Sequence, residues 1–135
     1  MQQFPLEEVI IMIYLADEFN LNMLSNILLY TLSIGIKIER LETEDVKAIL
    51  HNNFVSIIKH KEIAKFLTEL LKTRIMVNRA VVKLYPNDKL ILFQLMEERL
   101  RKSEPTLEKL KQAKYQFLLI TILPSKNWYK YHGTF

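Results

Sequence analysis

Residues 53–84 read NFVSIIKHKEIAKFLTELLKTRIMVNRAVVKL and contain neither proline nor glycine. Their apolar residues recur at helical spacing between Ile57 and Leu71, which predicts one long central helix over Asn53–Leu84. On that helix the basic residues fall on the side away from the apolar ones, in a stripe about 33 Å long. The stripe consists of Lys61, Lys65, Lys72, Arg79 and Lys83.

Arg74 lies among the apolar positions of this predicted helix. A guanidinium group buried there is costly unless it is paired. Two interpretations stay open. Either the helix breaks between Thr73 and Asn78 into two shorter helices, or Arg74 is buried and paired at a subunit interface.

The composition of the 135 residues favours helices over strands. Half of the residues are apolar, and the chain has two glycines and four prolines, so few tight turns are expected. We therefore predict an all-α fold, a compact bundle of about six helices in a single domain over residues 1–124, followed by a tail over residues 125–135. Besides the central helix, helices are predicted over Val9–Phe19, Met23–Ile34, Thr43–His51, Lys89–Lys102 and Thr106–Leu123, with Ile36–Leu41 as a short extended connection.

Several classes of function are disfavoured by what the chain lacks. It has no cysteine, which removes disulfides and thiolate chemistry. No run of 18 apolar residues suggests a membrane span, and no basic segment suggests a signal peptide, so a soluble intracellular protein is expected. The histidines His51, His60 and His132 are not at metal-ligand spacing. With two glycines there is no phosphate-binding loop. We expect no catalytic residue, metal or cofactor, and no enzyme activity.

Charge is distributed unevenly along the chain. Residues 1–58 hold 3 Lys or Arg and 8 Asp or Glu, whereas residues 59–135 hold 16 and 7. A basic half indicates a surface for nucleic acid or an acidic partner, or simply the solvated side of a lysine-rich protein. Glu62 and Glu69 lie at ion-pair spacing from Lys65 and Lys72, which weakens the nucleic-acid interpretation. Two halves of opposite charge could also stack head to tail.

The C-terminal tail interleaves aromatic and basic residues. Aromatic rings stack on unpaired bases while lysines contact phosphates, so this tail suits single-stranded nucleic acid. It equally suits docking on its own domain or on a neighbouring subunit. The residues concerned are Trp128, Tyr129, Tyr131, Lys126 and Lys130.

Residues 6–32, LEEVIIMIYLADEFNLNMLSNILLYTL, resemble the helical hairpin of BTB and BACK domains. The matching residues are Leu15, Ala16, Asp17, Asn20, Leu21 and Leu24. Asn52–Leu67 is also similar to a later BACK segment. The resemblance covers about a fifth of the chain through its hairpin. It implies two closely crossing helices and an adaptor that binds partner proteins.

Two functions remain as hypotheses. The leading one is a non-catalytic protein–protein interaction module that forms a homo-oligomer or belongs to a larger complex. The alternative is a nucleic-acid-binding helical protein, of the kind found in nucleoprotein complexes and viral nucleoproteins, which uses the basic stripe and the aromatic tail.

Overall fold

The computed structural model describes residues 11–25 and 34–123. In that part the chain forms a mixed α/β fold with one five-stranded sheet, so the predicted all-α bundle of six helices is wrong. The elements in chain order are β1 (Ile13–Ala16), β2 (Gly35–Leu41), α1 (Thr43–Leu50), β3 (Val55–Ile57), α2 (Lys61–Leu71), β4 (Lys89–Leu95), α3 (Glu98–Lys102), α4 (Leu107–Gln112) and β5 (Tyr115–Leu123).

The strand order across the sheet is β2-β5-β4-β1-β3. Strand β1 is parallel to both of its neighbours, β3 and β4. Strand β5 is antiparallel to both β4 and β2. The carboxyl ends of the three parallel strands therefore meet at one end of the sheet.

Two apolar segments in the second half of the chain form strands where helices were predicted. Lys89–Lys102 divides into β4 and the short helix α3, and Thr106–Leu123 divides into α4 and β5. Strand β4 lies inside the sheet and buries residues on both faces, so it shows no polar alternation. A short continuous apolar run looks the same whether it belongs to a buried strand or a buried helix, and the helix predictions for these segments were wrong for that reason.

The predicted central helix Asn53–Leu84 is also wrong. Its first residues form β3, and only Lys61–Leu71 is helical. The helix ends at Lys72, whose φ of 56° lies in the left-handed region that stops a helix. The helix does end near Arg74, but no second helix follows it within residues 72–84, all of which the structure describes, and Arg74 is exposed.

At the N-terminal side, the described part of the predicted helix Val9–Phe19 contains strand β1. The predicted helix Met23–Ile34 lies mostly outside the described residues. The helix predicted from Thr43 is confirmed as α1, and the backbone N–H of Glu42 donates to the Asp45 carboxylate at 2.9 Å. The extended segment predicted over Ile36–Leu41 is confirmed as well, as β2, and its partner strand is β5.

Helices α1, α2 and α4 cover one face of the sheet and enclose the larger core. At its centre four aromatic rings contact one another with centroid separations of 5.4–5.9 Å. They belong to Phe66, Phe93, Tyr115 and Phe117. The opposite face holds a second buried cluster, in which Leu24 and Leu84 pack against β1, β4 and β5.

Asp88 fixes the start of β4. Its buried carboxylate accepts hydrogen bonds from the backbone N–H groups of Met12 at 3.1 Å and Tyr85 at 2.8 Å. Asn87, with φ of 73°, makes the turn before it without a glycine. Burial raises the pKa of the Asp88 carboxyl above its usual range, although the two N–H groups lower it.

The two outer edges of the sheet differ. The segment after α2 runs along β3, where Val77 forms a bridge with Ile58 and the Asn78 N–H donates to the Ile58 carbonyl at 2.9 Å. The Asn78 side chain donates to the Ser56 carbonyl, also at 2.9 Å. Within residues 11–25 and 34–123, no strand pairs with the outer edge of β2.

Candidate functional site

The predicted basic residues do not form a single stripe. Lys61 and Lys65 lie on the exposed side of α2, and Lys72 is exposed at its end. Arg79 and Lys83 follow in the extended segment. The predicted stripe is wrong because it required one continuous helix over residues 53–84.

Three cations line one apolar groove instead. Lys61, Lys65 and Arg74 surround it, and its floor includes the partly exposed Met76 and Val77. Lys65 pairs with Glu62 at 3.6 Å. Among the described residues, neither of the other two cations has a carboxylate within ion-pair distance. Of the five predicted residues, Lys61 and Lys65 therefore line this groove, and Arg74, which was not among the five, lines it as well.

Arg79 and Lys83 make contacts with the backbone. The Arg79 Nε donates to the Lys59 carbonyl at 3.3 Å, and the Lys83 Nζ donates to the Asn22 carbonyl at 2.5 Å. Both contacts tie the extended segment to neighbouring loops, which gives these two residues a structural role. The predicted tail residues Trp128, Tyr129, Tyr131, Lys126 and Lys130 lie outside the described residues.

Strand β2, whose outer edge is not paired with any described strand, carries a patterned set of side chains. Lys37 and Glu39 point to one face of the sheet and Ile38 to the other, because side chains alternate along a strand. The Lys37 Nζ lies 3.6 Å from the Glu39 carboxylate. Ile38 is 60% exposed, which is high for a large aliphatic side chain in a sheet.

The sequence reasoning missed a pairing between Asp17 and His60. The Asp17 carboxylate, 1% exposed, lies 2.8 Å from the His60 Nδ1. It also accepts hydrogen bonds from the backbone N–H groups of Lys59 and His60, at 3.0 and 3.2 Å. The only available signal was that each residue closely follows an apolar strand, which places both at the carboxyl end of the sheet.

The described part of the chain, residues 11–25 and 34–123, lacks two further features. No group of three or more His, Cys, Asp or Glu residues there has the arrangement of a metal site. Nor does any helix there have the length and apolar character needed to cross a membrane.

Comparison with known proteins gives a family match, a similar bacterial sequence and a similar solved structure. A family model described as STIV B116-like matches residues 22–117. The Bacillus subtilis (strain 168) protein named "Uncharacterized protein YddF" is 36% identical over 90 residues, which cover 64% of this chain and 83% of that protein. The structure of B116 from Sulfolobus turreted icosahedral virus superposes with a TM-score of 0.63 at 20% identity, covering 82% of this chain and 98% of the viral one.

These matches correct the resemblance to BTB and BACK domains. The family model covers a large part of the chain and names a different family. In the structure, Leu15 and Ala16 belong to strand β1, and Leu21 belongs to a short 3-10 turn. The matching residues were mostly apolar core positions, which recur in many folds and do not specify a helical hairpin.

Proposed function

The chain belongs to the STIV B116-like family, and for this member we propose a non-catalytic function in protein assembly, in which two copies pair through strand β2. The observation that carries the proposal is the sequence Lys37-Ile38-Glu39 on an edge that no described strand covers. An uncovered edge presents unpaired backbone N–H and C=O groups, which are a template for another strand.

The pattern on β2 is complementary to itself. In an antiparallel pair centred on Ile38, Ile38 lies opposite Ile38 of the partner subunit, and Lys37 lies opposite Glu39 of the partner subunit. The two-fold axis repeats this ion pair, so each dimer gains two opposite-charge pairs and one aliphatic pair. A lysine alone on an edge strand would discourage pairing. A lysine and a glutamate placed on either side of the centre favour pairing with a second copy.

A charge-reversal experiment tests this arrangement. Lys37→Glu places two glutamates opposite each other in both symmetric pairs, and Glu39→Lys places two lysines there. Each single variant is expected to weaken the dimer by about 2 kcal/mol, or about 30-fold in Kd. The variant carrying both changes restores opposite charges and is expected to recover most of the affinity. Light scattering and sedimentation measure the average mass as a function of protein concentration, from which the Kd follows. A complete dimer has twice the 16.1 kDa of one chain.

The double variant is also the control, since its composition matches the wild type. Circular dichroism of each variant establishes that the monomer stays folded. A wild-type protein that is monomeric at high concentration would overturn the proposal. Equal weakening in the double variant would overturn this pairing register.

The chain has no cysteine, so the dimer does not depend on an oxidising compartment, and we propose that it acts inside the cell.

A second candidate function is binding to the nucleic-acid backbone. The groove between α2 and the segment after it supports this candidate, because Lys61, Lys65 and Arg74 converge on it. A phosphate backbone is bound through such groups with release of counterions, so its affinity falls with salt. Glu69, which also lines the groove, lies 3.6 Å from Lys111 and is partly compensated by it.

Changing the three groove cations to glutamine tests this second function. The variant is expected to lose most binding to labelled duplex and single-stranded DNA. In a plot of the logarithm of the binding constant against the logarithm of the salt concentration, the slope is expected to become about one unit shallower for each lost phosphate contact. Fluorescence anisotropy at two salt concentrations measures both. The control changes Lys102 and Lys109, which are exposed on other helices. Equal losses in both variants, or no binding by the wild type, would exclude the groove as the site.

A further inference from the structure

A cavity of about 280 Å³ lies at the carboxyl ends of the parallel strands β1, β3 and β4. In open α/β sheets, ligands bind outside the carboxyl ends of the strands, because loops from neighbouring strands converge there. Pockets for drug-sized ligands span roughly 300–1,000 Å³, so this cavity suits a small molecule. It is separate from both the β2 edge and the groove of α2.

His60 is held in one orientation at this cavity. The Asp17 carboxylate accepts its Nδ1–H at 2.8 Å, as well as two backbone N–H groups. The Asp17 carboxylate is therefore engaged by three donors of the protein itself. The His60 side chain, by contrast, remains 41% exposed and lines the cavity. With Nδ1 committed to Asp17, Nε2 is the ring nitrogen left for a ligand.

Arg101 and Gln94, which line the cavity, both keep hydrogen-bond donors beyond those they use within the protein. Arg101 donates through Nη1 to the Leu95 carbonyl at 3.1 Å. The other nitrogens of its guanidinium have no carboxylate partner among the described residues. Gln94 accepts from the Gln116 amide at 2.7 Å through its oxygen, which leaves its own amide nitrogen as a donor. The second carboxylate at the cavity, Glu18, is paired with Lys59 at 2.7 Å.

We propose that this cavity binds a small organic phosphate monoester. The three phosphate oxygens match the donors supplied by Arg101, the Gln94 amide and the Nε2 of His60. A phosphate near its second pKa, about 6, either accepts from a protonated Nε2 or donates its own proton to a neutral one. The rest of the lining is largely apolar and includes Phe19 and Leu100, so the ester group is a compact apolar or aromatic body.

Phenyl phosphate is a suitable probe, with inorganic phosphate and phenol as its two halves. Binding is followed by NMR through the ring signals of His60 and by calorimetry, on the full chain. We expect saturable one-to-one binding with a Kd of about 1 mM or tighter, and much weaker binding of either half. Arg101→Gln is expected to weaken binding about tenfold, since it removes a charged hydrogen bond. His60→Asn, whose amide can still donate to Asp17, is expected to act similarly.

The matched control is Arg99→Gln. Arg99 lies on the same helix, α3, is exposed, and does not line the cavity. Its substitution is expected to leave the Kd unchanged. Failure of phenyl phosphate to saturate would overturn the proposal, as would equal weakening by Arg99→Gln and Arg101→Gln. If phenol bound as tightly as phenyl phosphate, the cavity would be an apolar pocket without phosphate recognition, and the proposal would also be overturned.

Discussion

Replacing Phe93 with alanine is expected to lower the free energy of unfolding by about 4 kcal/mol. The Phe93 side chain is 1% exposed, in the interior strand β4. Its ring contacts those of Phe66, Tyr115 and Phe117, so it joins α2 to β5 through the core. Alanine removes all three contacts and leaves a cavity that the sheet cannot close without moving β4.

Urea denaturation followed by circular dichroism measures the effect of the Phe93 substitution. The control is Val81→Ala, at a side chain that is 82% exposed. A surface substitution of this kind is expected to change stability by about 0.5 kcal/mol or less. A loss below about 1 kcal/mol for Phe93→Ala would contradict the packing of the four rings.

Replacing Asp17 with alanine is expected to lower the free energy of unfolding by about 3 kcal/mol. The carboxylate links the end of β1 to the start of α2 by accepting three N–H groups from Lys59 and His60. Without it, these partly buried donors lose their acceptor. The cost of leaving such donors unpaired exceeds the value of an ordinary hydrogen bond.

Glu18→Ala is the matched control for Asp17→Ala. Glu18 is the neighbouring carboxylate, but its side chain is 48% exposed and it forms one ion pair, with Lys59. Such a pair contributes about 0–1 kcal/mol. Amide hydrogen exchange provides a second readout, since protection at the first turn of α2 is expected to fall only in Asp17→Ala. Equal stability losses in the two variants would contradict the role given to Asp17.

The sequence predicted those elements whose signals are local. Helix α1 follows from Thr43, Glu44 and Asp45, because acidic residues at a helix start interact with nearby N–H groups. The extended character of β2 follows from its alternating residues. Both depend on neighbours within a few positions, so they can be predicted without knowing the fold.

The sheet was missed because its signals are not local. Strand β4 is buried on both faces, so its apolar run carries no period of two. The scarcity of glycine was also misleading, because Lys72 and Asn87 adopt positive φ values where a glycine is usual. Few glycines therefore did not mean few sharp turns.

Among the candidate site residues, too, some could be predicted from local spacing and others could not. Lys61 and Lys65 were predicted as surface residues from helical spacing, and both lie on the exposed side of α2. Asp17 and His60 are 43 positions apart, and they meet only because β1 and β3 are parallel neighbours. No spacing rule finds such a pair. The order of the strands must be known first.

The covered edge of β3 limits how many copies can join. On that side of the sheet, the segment after α2 already occupies the backbone carbonyls of Ser56 and Ile58, through hydrogen bonds from Asn78. Val77 forms a bridge with Ile58, and the Ser56 hydroxyl donates to the Met76 carbonyl. Among the strands of residues 11–25 and 34–123, β2 is then the one that offers a free edge, and a pair of chains joined through β2, as proposed, has no such edge left. The proposed pairing therefore predicts that growth by strand addition stops at two copies, so that the average mass levels off with rising concentration and no fibre forms.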